Sequence, residues 1–134
     1  MDAKVRNALD ASGGYKTYYD WQRLRAEVLE PLSAFQPARF QIYDWDQNRL
    51  GAWRELSPST IVLIEGCYAA RPELDDIIDF VVLVDADSEL RKARQAERND
   101  APREWLERWE AAERYYIETT RLHERANMIV SGNQ

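Results

Sequence analysis

Apolar positions along these 134 residues fall into three patterns, and each predicts a different kind of element. From 20 to 32, Leu24, Val28, Leu29 and Leu32 recur at helical spacing, which predicts a helix. Asp20 suits its N-cap, and Pro31 should end or distort its last turn. The second pattern is an unbroken, mostly β-branched run, found at 61–64 ahead of Glu65 and at 80–84 ahead of Asp85. Neither run alternates apolar with polar, so both read as strands buried on both faces, near 61–65 and 80–85. Residues 71–78 between them read as helical, and 128–130 as a last short strand. The third pattern is a long amphipathic stretch with Trp105, Trp109, Ala112 and Tyr116 in helical step, Pro102 suiting its first turn. Ser88 can cap a separate helix reaching Arg98, and residues 99–102 break it.

Two stretches carry weaker signals. Residues 33–58 hold Pro37, Gly51 and Pro58 among scattered aromatics and read as a long excursion with little regular structure. The first fourteen residues read as a short helix or loose arm, with a turn at Ser12-Gly13-Gly14. The order of elements predicts an α/β fold with a short, mostly parallel sheet. It also predicts a single domain over 1–134, made of an arm at 1–14 and one region at 15–134.

Composition narrows the function classes. The chain is 45% apolar and 31% charged, as globular domains are, with a formal charge of −6. No dense Lys/Arg block is present, which argues against nucleic acid as a main partner. Cys67 is the sole cysteine and His123 the sole histidine, so an intrachain disulfide, a multi-cysteine zinc site and histidine-based metal clusters have no basis. No stretch approaches the roughly 18 apolar residues of a membrane span, and residues 1–10 contain no apolar signal core. A reducing, cytoplasmic setting without membrane attachment is the expectation. Cys67 reads as a buried small residue, and His123 as a support for a helix C-terminus.

Several side chains could carry chemistry. Glu65 and Asp85 stand at strand ends, where ligands of open parallel sheets bind. A carboxylate there can hold hydrated Mg²⁺ or orient water near a phosphate, or it can simply cap the following turn. Arg91, Arg94 and Arg98 share one helical side at i, i+3 and i+7. Their forks suit phosphate oxygens, while the plainer reading is a solvated face paired with Glu89 and Glu97. Tyr-Asp-Trp occurs twice, at Tyr19-Asp20-Trp21 and Tyr43-Asp44-Trp45. An aromatic beside a carboxylate can stack on a base while the acid accepts ribose hydroxyl bonds; the alternatives are an N-cap at Asp20 and core aromatics at Trp21 and Trp45. Trp105, Trp109 and Tyr116 read as core before ligand platform.

Taken in order, these pieces resemble one family. Tyr19 to Arg25 with Val28-Leu29-Glu30-Pro31-Leu32, the aromatic stretch Tyr43-Asp44-Trp45 with Trp53, "IVLIEGCYAA" followed by Arg71-Pro72-Glu73-Leu74, "DFVVLVDADSELRKARQAERND", and 128–132 are collinear with segments of uridine-kinase-like P-loop kinases (the uridine kinase and phosphoribulokinase type) over roughly 15–132. The resemblance implies a reduced P-loop NTPase-like, three-layer α/β/α fold. It implies phosphoryl transfer from ATP to a nucleoside or a similar small hydroxylated acceptor. Asp20 would hold the acceptor ribose, with Trp21 beside it and Tyr43 near the nucleoside; Glu65 would stand near Mg²⁺ as a catalytic acid, and Arg94 and Arg98 would approach the phosphates.

One part of the pattern has no counterpart here. No G-x-x-x-x-G-K-[ST] occurs within these residues, and Ser12-Gly13-Gly14-Tyr15-Lys16-Thr17 has the wrong spacing. Without those amides and that lysine, the expectation is a chain that is inactive alone or dependent on a partner. The alternative is a non-catalytic nucleoside- or nucleotide-binding module that regulates or oligomerises. In the family the strand before that loop lies between those matching 61–65 and 80–85. The resemblance therefore implies that the two strands pair directly or that another chain fills the gap, and it predicts a homo-oligomer.

Overall fold

The computed structural model describes residues 7–98 and 102–133. Residues 1–6 of the expected arm and 99–101 of the expected helix break lie outside the described residues. The chain forms two compact units, one of residues 20–65 and one of 1–19 with 66–134.

The 20–65 unit opens with helix α2 (Trp21–Leu24), capped by Asp20, whose Oδ1 accepts from the Arg23 amide at 3.1 Å. The helix widens into a π turn over Arg25–Leu29 and resumes as α3 (Glu30–Ser33). Pro31 has no N–H to give a carbonyl four residues back, and the amide of Glu30 reaches Arg25 O, five residues back. Proline thus distorts the segment without ending it. Phe35, at φ 56°, then stops the helix.

The stretch expected to lack regular structure is instead a hairpin, β1 (Ala38–Asp44) with β2 (Arg49–Leu56), antiparallel with a shift in register between Gln41 and Tyr43. Its signal is faint in sequence because both faces carry exposed residues, so no clean alternation arises. Cross-strand chemistry holds it. Arg39 stands opposite Glu55 and Asp44 opposite Arg49. The Arg39 guanidinium lies 4.6 Å from the Trp53 ring centre. Gln41 Nε2 donates to Gly51 O at 2.9 Å, and the Arg23 guanidinium donates to Gln41 O, fixing α2 to β1. Leu29, Leu32 and Ala38 form the buried centre of this unit. Trp45, an expected core aromatic, is 74% exposed at the hairpin tip.

Residues 61–65 form no strand, and Ile61 and Leu63 are 83% and 88% exposed. A β-branched run favours extended backbone, but a strand also needs a neighbour to complete its ladder, and none pairs with this run among the described residues. The expected strand near 61–65, and its direct pairing with 80–85, are therefore both corrected.

In the other unit, α1 (Ala11–Thr17) is capped by Asp10, which accepts from the Gly13 amide at 2.7 Å. Gly13 and Gly14 lie within this helix and form no turn. Glycine permits close approach here, because a Cβ on Gly14 would stand 3.0 Å from the Ala112 methyl and 2.7 Å from Tyr18 Cε2. Ala112 belongs to the long helix α5 (Arg103–Thr119), with Pro102 just ahead of it as N-cap. Helix α4 (Ser88–Arg98) forms where expected, with Ser88 as its first residue and the Asp87 carbonyl accepting from the Arg91 amide. Residues 71–78 make no α-helix, and a 3₁₀ turn at Pro72–Leu74 replaces it. Proline starts that turn, and the β-branched pair Ile77-Ile78 beside Asp75, Asp76 and Asp79 gives little reason to prolong it.

A two-stranded parallel ladder pairs β3 (Val82–Asp85) with β4 (Met128–Ser131), and a short helix α6 (Leu122–Arg125) precedes β4. The fold is α/β with a short parallel sheet. Burial on both faces is not realised: Leu83 packs against the core, while Val82 and Val84 are 48% and 67% exposed.

Tyr15, Tyr68, Ala112, Tyr116 and Leu122 make that core. Tyr15 stacks on Tyr116 at 5.3 Å, and Tyr68 meets both rings edge-on at 5.6 and 5.2 Å. Such pairs contribute about 1 kcal/mol each beyond their burial. Burial raises the pKa of all three phenols, which stay neutral. Under them lies Arg71, 1% exposed, its guanidinium 4.8 Å from the Tyr15 ring centre. Its Nε and Nη2 each donate to Glu73 at 3.1 Å, and Tyr15 Oη donates to the same carboxylate at 3.2 Å.

The hydrogen bond from Arg71 holds the Glu73 carboxyl below its ordinary range. A depressed carboxyl contributes stability that is present above its unfolded pKa and lost as pH falls through the folded one. Denaturant melts between pH 7 and pH 3 should therefore show a decline that Glu73→Gln flattens, with the variant weaker than wild type at pH 7. Leu74, fully buried beside this pair, should lose about 3 kcal/mol on Leu74→Ala, read from urea unfolding at pH 7.

Candidate functional site

The richest concentration of chemistry in the 66–134 unit is a groove between α4 and α5. Arg91, Arg94 and Arg98 line it from α4, Trp105 and Trp109 from α5, and Cys67 from the preceding turn. Its volume is about 930 Å³, near the upper end of the roughly 300–1,000 Å³ of small-molecule sites. The i, i+3, i+7 spacing of the arginines places them on one side because α-helical residues advance about 100° each.

Each wall is fixed by named contacts. Arg91 Nη1 pairs with Glu113 Oε2 at 3.0 Å, and Lys92 Nζ reaches Glu110 at 3.5 Å, so two ion pairs tie α4 to α5. Arg94 Nη1 donates to Gly132 O at 2.7 Å, anchoring α4 to the residue just after β4. The plainer expectation paired these arginines with Glu89 and Glu97 on the same helix; Arg91 and Arg94 reach other elements, and Glu89 bonds Lys92 at 3.3 Å. The tryptophans are half-buried, with Trp109 stacked on Tyr18 at 6.0 Å and an interplanar angle of 3°. They belong to the edge of the aromatic core and line the groove at once. The wall can therefore offer guanidinium forks to an anion and indole surface to a ring.

Cys67 is exposed, against the expectation of burial. It sits between Gly66 at φ 140° and Tyr68 at φ 62°, and this pair of left-handed residues turns the thiol outward while the Tyr68 ring enters the core. Asp85 ends β3, and its Oδ2 lies 3.1 Å from His123 Nε2. His123 is thus the partner of a strand-end acid, and its helix α6 is a separate short one. The Gly132 amide donates to Asp85 O, and Asn133 Oδ1 accepts from the Asp87 amide at 2.9 Å, so the ends of β3 and β4 are stitched together. Nothing in the sequence marked the roles of Gly132 and Asn133, and it suggested burial for Cys67; Gly66, the residue type that most readily takes a positive φ, was the available clue.

The remaining predicted site residues lie in the 20–65 unit. Asp20 is exposed at the α2 N-cap, and Trp21 is half-buried in its first turn. Tyr43, half-buried on β1, donates to Asn48 Oδ1 at 2.5 Å and meets Trp45 edge-on at 4.8 Å. Glu65 is exposed at the end of the unladdered run. Arg94 and Arg98 share the groove, and Asp20, Trp21, Tyr43 and Glu65 share the other unit.

Among the described residues no cluster of three or more His, Cys, Asp or Glu could hold a metal, and Glu65 brings a single carboxylate. No helix among them is long and apolar enough to cross a membrane.

Comparison with known proteins agrees with the order of these elements. A solved structure of a possible uridine kinase from Bacillus stearothermophilus superimposes with a TM-score of 0.68 at 24% identity. The match takes in 90% of this chain and 59% of that one, so the chain spans less than two thirds of that protein's length. At that identity the likeness shows the fold alone. Among curated proteins none matches. The family model described as Phosphoribulokinase / Uridine kinase family matches residues 14–107, most of the sequence, and the chain belongs to that family.

Proposed function

We propose that the chain serves phosphoryl transfer from ATP to a nucleoside or a similar small hydroxylated acceptor, and that these 134 residues alone bind nucleotide without turning it over. The observation that carries this reading is the α4–α5 groove, with three guanidinium groups on one wall and two indoles on the other. A polyphosphate answers the first wall and a base the second. Arg94 and Arg98 would stabilise charge spread over a transferring phosphoryl group. Asp20 would hold acceptor hydroxyls: a carboxylate has about four lone-pair sites, so its capping bond to Arg23 leaves further sites to accept. Tyr43 and Trp21 would flank the nucleoside. Mg²⁺ would arrive with the nucleotide, with Glu65 as its one carboxylate contact.

Slow or absent turnover follows from the missing G-x-x-x-x-G-K-[ST]. Preorganised donors at a transferring phosphate each commonly contribute about 3 kcal/mol of barrier lowering, so losing a loop of them removes several orders of magnitude in rate. The second reading, a binding or regulatory module that keeps an acceptor site without ATP, draws support from the exposed, isolated Glu65. In either case the chain would act in the cytoplasm on small molecules.

Calorimetric titration with MgATP should show one site per chain. Arg98→Ala should weaken that site about tenfold, in line with one charge-assisted bond, without lowering the melting temperature by more than about 2 °C. Nucleotide should also slow maleimide labelling of Cys67. No transfer to uridine should exceed background. Silence toward ATP with a response to uridine that Asp20→Asn removes would favour the second reading, and silence toward both would refute the proposal.

A further inference from the structure

Among the described residues one apolar segment joins no ladder and a second is paired on one edge only, and their features correspond. Residues 61–64 are uncharged and mostly β-branched and join no ladder, with Ile61 83% and Leu63 88% exposed. Strand β3 lies within five consecutive apolar residues, 80–84. Among the described residues its backbone hydrogen bonds run to the β4 side alone, as do those of Val81 and Asp85 that extend the ladder. Free strand edges in folded proteins are ordinarily blunted by charge, proline or a bulge. None of these interrupts 61–64 or 80–84.

We propose that residues 61–64 of one copy add as an antiparallel strand to the free edge of β3 in a second copy, reciprocally, closing a two-fold dimer. Direction follows from charge. Parallel, in-register addition would set Glu65 against Asp85, and like charges directly opposite destabilise a pair. Antiparallel addition with Leu63 opposite Val82 sets Glu65 against Phe80 and Thr60 against Asp85. The faces then agree. Ile61 and Leu63 fall beside Val84 and Val82, the exposed side of β3, and Val62 falls beside Leu83, which faces the core. Antiparallel ladders are also slightly more stable per residue than parallel ones. Reciprocity follows because every copy carries both donor and acceptor. A one-way addition would leave one of each open and propagate as a filament, whereas two-fold exchange satisfies both.

Sedimentation equilibrium on the whole chain tests this. Wild type should fit a dimer of the 15.7 kDa chain at about 100 µM. Leu63→Lys and Val82→Glu alter exposed positions, so each should keep the wild-type circular dichroism spectrum. Each alone should raise the dimer dissociation constant at least about tenfold. An equimolar mixture should recover association, because the mixed dimer has one unaltered addition and one Lys–Glu pair across the strands. A monomeric wild type, a dimer indifferent to both substitutions, no recovery on mixing, or open filaments would each overturn the proposal.

Discussion

A buried guanidinium organises the larger unit. Arg71 is almost wholly removed from water, and an isolated charge in that position would cost several kcal/mol. Glu73 answers it with two oxygens, and the Tyr15 ring lies against its face. Every neighbour is then constrained. Tyr15 must sit where its ring meets the guanidinium and its hydroxyl meets Glu73, so α1 is placed by a helix residue on one side and by the 3₁₀ turn on the other. The tyrosine trio closes over that arrangement, Ala112 and Gly14 allow α1 and α5 to approach, and α5 becomes the fixed wall against which α4 presents its arginines.

How much of this was legible from the residues depends on what each signal measures. Helix α4 was legible at its start to within one residue, because Ser88 stands there and the composition carries no competing strand signal. The parallel pair was legible in Val82 to Val84 and in Met128 to Val130, since β-branched runs before an acid or a serine favour extended backbone. The same logic misread 61–64. Propensity belongs to a segment, whereas a strand belongs to a pair, and no partner is provided for that run among the described residues. The hairpin at 38–56 escaped for the converse reason: its stability lies in contacts such as Arg39 on Trp53, which no periodicity announces.

The site was legible to a similar degree. Helical spacing put Arg91, Arg94 and Arg98 together, and they do share one groove. The opposite wall was hidden because Trp105 and Trp109 follow the same period as the core residues Ala112 and Tyr116. A helix that borders a groove on one flank and a core on the next has a single apolar stripe, and the stripe does not say where burial stops. Cys67 was hidden for a backbone reason, since the positive φ of Gly66 and of Tyr68 on either side of it turns it outward.

The π turn at Arg25–Leu29 has a consequence for how this segment can change over generations. A helix acquires a wide turn when it takes in one residue beyond the α count without breaking. Residues on either side keep separate registers: Arg23, next to the Asp20 cap, reaches β1 in one, and Leu29 and Leu32 fill the unit's centre in the other. Deleting one residue there would return a regular helix and swing one half about 100° against the other. Either the cap and its tie to Gln41 or the two leucines would then face the wrong way. Gene length is therefore rigid to the single codon in this stretch, while the hairpin tip at 45–48, exposed and free of such phasing, leaves room for insertion.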